Sequence, residues 1–147
     1  MRVLVTGANG YIGGRLVPRL IEAGHEVRVL VRRADRLRDV PWAGSVDVVE
    51  GDLADRAAVD RAMAGIEVVY YLVHSMGGRG DFESIELEIA RNVAASAREH
   101  GVGRIVYLGG LHPATERLSR HLRSRTEVGR ISAFTETKTV WHTKSLR

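Results

Sequence analysis

A glycine-rich turn near the start of the chain limits the possible folds more than any other feature. The β-forming run Val3–Val5 leads directly into glycines at positions 7, 10 and 13, and an apolar helical pattern begins at Ile12. This order predicts a strand, a tight turn and a helix. Gly7 would turn the chain, Gly10 would let the backbone approach a ligand closely, and Gly13 would let the helix pack on the strand.

The same turn has the spacing expected of a dinucleotide site. Unpaired N–H groups and the macrodipole at a helix N-terminus favour an anion such as a pyrophosphate. The amides in question belong to Asn9, Gly10, Tyr11 and Ile12. The alternative is that the glycines serve only the shape of a strand–helix turn.

Length and composition indicate one globular domain. The chain has 147 residues, 44% apolar and 27% charged, and its longest apolar run, Val68–Val73, has the length of a strand rather than of a membrane helix. Residues 1–3 lead directly into the first strand, so we expect no signal peptide. The absence of cysteine excludes disulfides and thiolate metal sites. We therefore expect a cytoplasmic protein without a metal site.

The net charge of +4 and the pI of about 9.9 come from an excess of arginine. Only eight residues are aromatic, 2 Trp, 4 Tyr and 2 Phe, and they do not alternate with basic residues. A solvated basic surface is therefore expected, and nucleic acid is not.

Five apolar segments alternate with helical patterns and turn signals, which predicts an α/β fold with a doubly wound parallel sheet in the order 3-2-1-4-5. The expected strands are residues 2–6, 26–31, 46–50, 66–73 and 104–108. Ligands of such sheets bind at the carboxyl ends of the strands.

Two arginines, Arg32 and Arg33, follow the second predicted strand, where an acidic residue would hydrogen-bond the ribose of NAD. A guanidinium suits the 2′-phosphate of NADP instead, so we expect NADP, with NAD as a possible second cofactor. The alternative is that these residues begin a solvated basic loop.

The ends of the third and fourth strands carry further candidates. Asp52 is placed to bind adenine and Leu53 to pack on its ring, although Asp52 or Asp55 could equally cap the next helix. His74, after the fourth strand, is either a ligand contact or a structural hydrogen-bonder.

Several motifs resemble the extended and atypical short-chain dehydrogenase/reductases, most closely their NAD(P)H-binding, nitrogen-regulator-like branch. They are the segments 3–13, 51–53, 90–93 and 103–108. The resemblance covers about residues 1–131. It implies that the glycine turn surrounds the pyrophosphate, that Arg32 meets the 2′-phosphate and that Asp52 and Leu53 touch adenine. By the same resemblance, Leu72, Val73 and His74 line the ribose, and Leu108, Gly109 and Gly110 lie near the nicotinamide.

The chain departs from that family at the catalytic positions. Gly109 and Gly110 stand where active members carry serine or threonine, and His121 and Arg125 stand where they carry a Tyr-x-x-x-Lys pair. A histidine can transfer protons near neutral pH, whereas an arginine cannot act as a base. The alternative is that His121 and Arg125 belong to a solvated helix face.

The family pattern ends near residue 131, which predicts a domain over residues 1–131 and a polar tail over residues 132–147. Val140 and Trp141 could form a short strand, but the sequence offers no partner for it. We expect an exposed sheet edge that favours self-association. Three functions stay open: an NADP-dependent oxidoreductase or its cofactor-binding half, a dinucleotide-binding redox sensor or interaction module without turnover, and an inactive truncated remnant.

Overall fold

A six-stranded parallel sheet lies at the centre of the molecule, in the order β3-β2-β1-β4-β5-β6. The structure, a computed structural model, describes residues 1–73, 82–108, 126–131 and 140–141. The strands are β1 (Arg2–Thr6), β2 (Glu26–Val31), β3 (Asp47–Glu50), β4 (Val68–Tyr71), β5 (Arg104–Tyr107) and β6 (Val140–Trp141). The helices are α1 (Tyr11–Glu22), α2 (Arg56–Met63) and α3 (Phe82–Glu99), with 3₁₀ turns at Ala34–Leu37 and Ala43–Ser45 and a helical segment at 126–131.

The predicted fold class and the order 3-2-1-4-5 are confirmed. β4 is shorter than expected, four residues instead of eight. At its end the Leu72 amide donates to a side chain, Thr6 Oγ1, and at its start the chain is still leaving a turn. Gly65 lies there with a φ of +72°, and the amide of Ile66 still donates to the carbonyl of Met63 at 3.0 Å.

Apolar side chains cover both faces of the sheet, as buried parallel strands require. On one face α1 packs through Val17 and Leu20, together with Leu37 and Trp42 from the 3₁₀ segments. On the other face α2, α3 and the segment 126–131 pack over β4 and β5. The glycine turn lies at the carboxyl end of β1.

β6 is the strand for which the sequence offered no partner. It pairs in parallel with β5, Val140 opposite Val106 and Trp141 opposite Tyr107. The tail predicted over 132–147 therefore contributes two residues to the sheet. Two positions of the β5 edge that was expected to be exposed are paired, and self-association stays a prediction.

A shared carboxylate joins α2 to α3. Asp60 Oδ1 accepts a hydrogen bond from Ser96 Oγ at 2.5 Å and another from Arg56 Nε at 2.9 Å. Arg56 also donates to Glu99, and His100 Nδ1 lies 3.0 Å from the Ser96 carbonyl oxygen. These bonds lower the pKa of the Asp60 carboxyl below its ordinary 3.8, first through Ser96 and then through Arg56.

Because of this carboxylate, the free energy of unfolding should fall at low pH. Because the pKa of Asp60 is lower in the folded chain than in the unfolded chain, its contribution is present above the unfolded value and is lost as the pH falls towards the folded one. Between about pH 5 and pH 3, we expect the free energy of unfolding of the wild type to fall more steeply than that of Asp60→Asn. Urea unfolding at each pH measures both, and parallel profiles would contradict the assignment.

Candidate dinucleotide-binding site

The glycine turn after β1 has the predicted strand–turn–helix shape. Gly7 adopts a φ of +71°, and the amide of Gly10 donates to the Gly7 carbonyl oxygen at 3.0 Å. Gly10 is the N-cap residue of α1. Among the described residues no side chain accepts a hydrogen bond from this helix start, and the first turn contains no acidic residue. The Gly10 amide, one of the four predicted to face a pyrophosphate, is therefore engaged within the turn, whereas the amides of Tyr11 and Ile12 at the start of α1 are open to an anion.

Gly13 brings the helix directly against this turn. A Cβ atom at this position would lie 2.2 Å from the Gly7 carbonyl oxygen and 2.7 Å from Ala8 Cα, both of which are backbone atoms. Any side chain would push α1 away from the turn. The close packing predicted for Gly13 is thus present.

The exit of β4 lies beside the first glycine. A Cβ at Gly7 would meet Val73 Cγ2 at 3.2 Å and the Leu72 carbonyl carbon at 3.4 Å. Leu72 and Val73 are half-buried. The structure therefore brings these two predicted ribose-lining residues together with the glycine turn.

A buried threonine fixes this junction. Thr6 Oγ1 accepts a hydrogen bond from the Leu72 amide at 3.2 Å and donates to the Tyr70 carbonyl oxygen at 3.3 Å. It thereby ties the end of β1 to the end of β4. No sequence motif pointed to Thr6, although its place directly before the first glycine could have indicated it.

The surface over the start of α1 is exposed and partly aromatic. Asn9 and Gly10 are exposed, Tyr11 is 76% exposed, and Ile12 is 47% exposed. The Arg15 guanidinium carbon lies 3.8 Å from the centre of the Tyr11 ring, and Arg15 Nη1 donates to the Tyr11 carbonyl oxygen at 3.3 Å. Arg15 thus holds the ring and adds a positive charge beside the helix start. The i, i+4 spacing of these two residues could have revealed this contact.

The two arginines after β2 have different environments. Arg33 binds Asp35 in a bidentate ion pair, Nε to Oδ1 at 3.1 Å and Nη2 to Oδ2 at 2.5 Å. Arg32 is exposed, and within the described ranges no hydrogen bond or ion pair engages it. The sequence grouped the two residues as phosphate ligands, whereas the structure leaves only Arg32 uncommitted.

The loop that carries these arginines is held by β3. The Ala34 amide donates to Glu50 Oε2 at 2.7 Å, which joins the loop after β2 to the carboxyl end of the neighbouring strand. No local pattern in the sequence pointed to Glu50. The contact depends on strand pairing and appears only in the folded chain.

Asp52 and Leu53 follow β3 at the same edge of the sheet. Asp52 is exposed and its Oδ1 accepts from the Ala54 amide at 2.9 Å, whereas Asp55 caps α2 by accepting from Ala57. Of the two possible capping residues, Asp55 is therefore the one that caps the helix.

Leu53 is 7% exposed within the core, and Asn92 holds the loop through the Leu53 and Ala54 carbonyls. The adenine contacts stay predictions.

Of the remaining candidate site residues, the structure describes only Leu108. Leu108 follows β5 at the same edge and is half-buried. His74, Gly109, Gly110, His121 and Arg125 lie outside the described residues.

The described part of the chain contains neither a membrane-spanning helix nor a cluster of metal ligands. No helix there is both long and apolar enough to cross a lipid bilayer. No group of three or more His, Cys, Asp or Glu side chains there is arranged to hold a metal ion.

The chain matches a known protein family over most of its length. The family model described as NAD(P)H-binding matches residues 7–139, nearly the whole chain. The chain belongs to this NAD(P)H-binding family. The predicted resemblance and the predicted class of cofactor are thereby confirmed, and the chain is an NAD(P)H-binding, reductase-like domain.

Relatives of this NAD(P)H-binding domain are longer proteins. An uncharacterised protein of Mycobacterium bovis is 37% identical over 80% of the chain, which covers 13% of that protein. The 2-alkyl-3-oxoalkanoate reductase of Stenotrophomonas maltophilia is 36% identical over 73% of the chain, which covers 32% of that protein. The chain therefore spans at most about a third of these two relatives.

A solved structure shows the same fold. The triphenylmethane reductase of Citrobacter, complexed with NADP(H), superposes with a TM-score of 0.78 at 23% identity, over 95% of this chain and 47% of that one. At this identity the similarity concerns the fold alone.

Proposed function

We propose that this chain is the cofactor-binding half of an NADP-dependent oxidoreductase. The observation that carries the proposal is the uncommitted guanidinium of Arg32 at the carboxyl end of β2, on the same sheet edge as the open amides of the glycine turn. The guanidinium suits a 2′-phosphate, and the amides suit a pyrophosphate. A bound nicotinamide dinucleotide would supply hydride transfer, and the protein would supply binding and orientation.

The residues present fit such a ligand. The start of α1 carries neither a capping side chain nor an acidic residue, so its amides are available to a pyrophosphate. Gly10 leaves the approach open, because a Cβ there would touch only the Gly7 carbonyl oxygen, at 3.2 Å. Arg15, held against the Tyr11 ring, adds a cation beside the same amides. Asp52, Leu53, Leu72, Val73 and Leu108 would contact the adenosine and nicotinamide ends.

Removal of the Arg32 side chain should discriminate between the two dinucleotides. A charge-assisted hydrogen bond to a phosphate contributes about 1.5–3 kcal/mol, so Arg32→Ala should weaken NADPH about tenfold or more. NADH carries a hydroxyl in place of this phosphate, and we expect its affinity to change less than about twofold. Calorimetric titration of the purified chain with each dinucleotide measures both.

Arg104→Ala is the matched control, since Arg104 is exposed and begins β5 at the opposite edge of the sheet. It removes the same charge and should affect neither dinucleotide. Equal losses of NADPH and NADH in Arg32→Ala would contradict the 2′-phosphate assignment.

Turnover is a separate question for a chain that covers less than half of its structural relative. We expect no NADPH oxidation with quinones or simple carbonyl compounds by this chain alone, because it covers only 32% of the 2-alkyl-3-oxoalkanoate reductase and 47% of the triphenylmethane reductase. An absorbance assay of NADPH consumption measures it. Steady oxidation would show that the chain is itself an enzyme rather than a cofactor-binding half.

A further inference from the structure

The Arg33–Asp35 ion pair uses the same donor groups that a phosphate would use. Arg33 presents Nε and Nη2 to the two oxygens of one carboxylate, at 3.1 and 2.5 Å. A guanidinium holds a phosphate in this fork geometry as well. Arg33 therefore cannot bind Asp35 and a phosphate through these two N–H groups at the same time.

Asp35 is not needed to hold the loop in place. The Ala34 amide is fixed by Glu50, and the amides of Arg36 and Arg38 donate to the carbonyls of Arg33 and Asp35 at 3.3 and 3.2 Å. Leu37 anchors the 3₁₀ turn in the core at 3% exposure. Asparagine at position 35 also keeps an oxygen that can accept from the Arg36 amide, so the charge of Asp35 can be removed while the backbone around it keeps its contacts.

The pair is also exposed and readily exchanged. The side chains of Arg33 and Asp35 are 63% and 45% exposed. Ion pairs in such positions contribute little to stability, because water and salt screen them. A dianionic phosphate that reaches this loop can displace the carboxylate, but Asp35 opposes it both by occupying Arg33 and by like-charge repulsion.

We propose that Asp35 is a specificity-determining residue that competes with the 2′-phosphate of NADPH for Arg33. The inference rests on the proposed function, because it concerns the same cofactor site. NADH has no phosphate at this position and does not meet this competition. Asp35 thus keeps the preference for NADPH below the value that Arg32 and Arg33 would give together.

The charge of Asp35 persists at neutral pH. The pKa of its carboxyl lies below the ordinary 3.8, first because of the hydrogen bond from Arg33 and then because of the charges of Arg33 and Arg36 and a hydrogen bond from the Arg36 amide. Glu50 is the other acidic group that acts on Arg33. The competition is therefore present throughout the pH range in which binding would be measured.

The test is the ratio of NADPH to NADH affinity in Asp35→Asn. This change keeps the shape of the side chain and removes its charge. Since an exposed ion pair is weak, releasing Arg33 should raise the affinity for NADPH about two- to fivefold. We expect the affinity for NADH to stay within about twofold of the wild type or to fall, since its hydroxyl gains nothing from a free guanidinium. Titrations at low ionic strength make the effect largest.

Two further variants isolate the mechanism. Glu22→Gln frees Arg19 from an exposed ion pair on α1 and makes the same change in net charge, so it should leave both affinities unchanged. In the double variant Asp35→Asn with Arg33→Ala, the gain for NADPH should disappear, because the released donor is missing.

Each outcome decides between the alternatives. A selective gain for NADPH that requires Arg33 supports the competition. No gain in Asp35→Asn, an equal gain for both dinucleotides, or the same gain in Glu22→Gln overturns it while the proposed function stands. A wild-type chain that binds neither dinucleotide overturns the proposed function, and the role of Asp35 is then rejected with it.

Discussion

Replacement of Gly10 with aspartate should abolish NADPH binding while the chain stays folded. Gly10 is the extended N-cap residue of α1, at φ −84° and ψ 174°, and it offers no side-chain acceptor. Aspartate is among the best N-cap residues and is better than glycine by only about a few tenths of a kcal/mol. Its carboxylate would accept hydrogen bonds from the amides that we expect to bind the pyrophosphate. Its negative charge would also repel the pyrophosphate. Like charges in contact cost several kcal/mol, so we expect a loss of about a hundredfold or more by calorimetry.

Gly10→Asn is the matched control for this experiment. Asparagine caps a helix about as well as aspartate and has the same shape, but it carries no charge. Both variants bear the same Cβ atom, 3.2 Å from the Gly7 carbonyl oxygen. Their melting temperatures should therefore agree, while NADPH binding should be much weaker in the aspartate variant. Equal affinities in the two variants would show that the pyrophosphate does not bind at this helix start.

Alanine at two neighbouring glycines should change stability in opposite directions. At Gly13 the new Cβ would lie 2.2 Å from a backbone oxygen, which no rotation of a side chain can relieve. Overpacking typically costs about 1–3 kcal/mol, and here we expect about 3 kcal/mol or more. At Gly14 the nearest atom is the Ala8 carbonyl oxygen at 3.7 Å, an ordinary contact. Alanine is favoured over glycine within a helix by about 0.5–1 kcal/mol, so Gly14→Ala should stabilise the chain.

Urea unfolding of both variants measures this difference, and far-ultraviolet circular dichroism shows whether Gly13→Ala folds at all. Gly14→Ala should bind NADPH like the wild type, because it leaves the turn and the start of α1 unchanged. Similar destabilisation by the two substitutions would mean that α1 does not approach the turn as closely at Gly13 as the structure indicates.

The features that the sequence predicted well are those that local patterns encode. A strand that runs into spaced glycines and then into an apolar helical pattern defines one unit, and the handedness of parallel crossovers arranges the other strands around it. The order 3-2-1-4-5 and the roles of Gly7 and Gly13 in the turn follow from such short-range information. The family to which the chain belongs also follows from it.

The features that the sequence left open depend on contacts that no local sequence pattern encodes. The sequence does not distinguish Arg32 from Arg33. Only the folded loop shows that Asp35 forms an ion pair with Arg33. Glu50 reaches Ala34 because β3 pairs with β2, and β6 acquires a partner only when the chain returns to β5. Most of the Leu53 side chain lies in the core, at 7% exposure, which the sequence did not show, and its contact with adenine stays a prediction.

The hydroxyl of Thr6 has a consequence for the energetics of ligand binding. Its two hydrogen bonds join the ends of β1 and β4, so the first glycine of the turn and Leu72 cannot move independently. This part of the site is consequently preorganised, and its conformational entropy is already lost when the chain folds. A ligand that binds at the proposed site would contact residues that are already ordered. The free energy of binding would then not include the cost of ordering them.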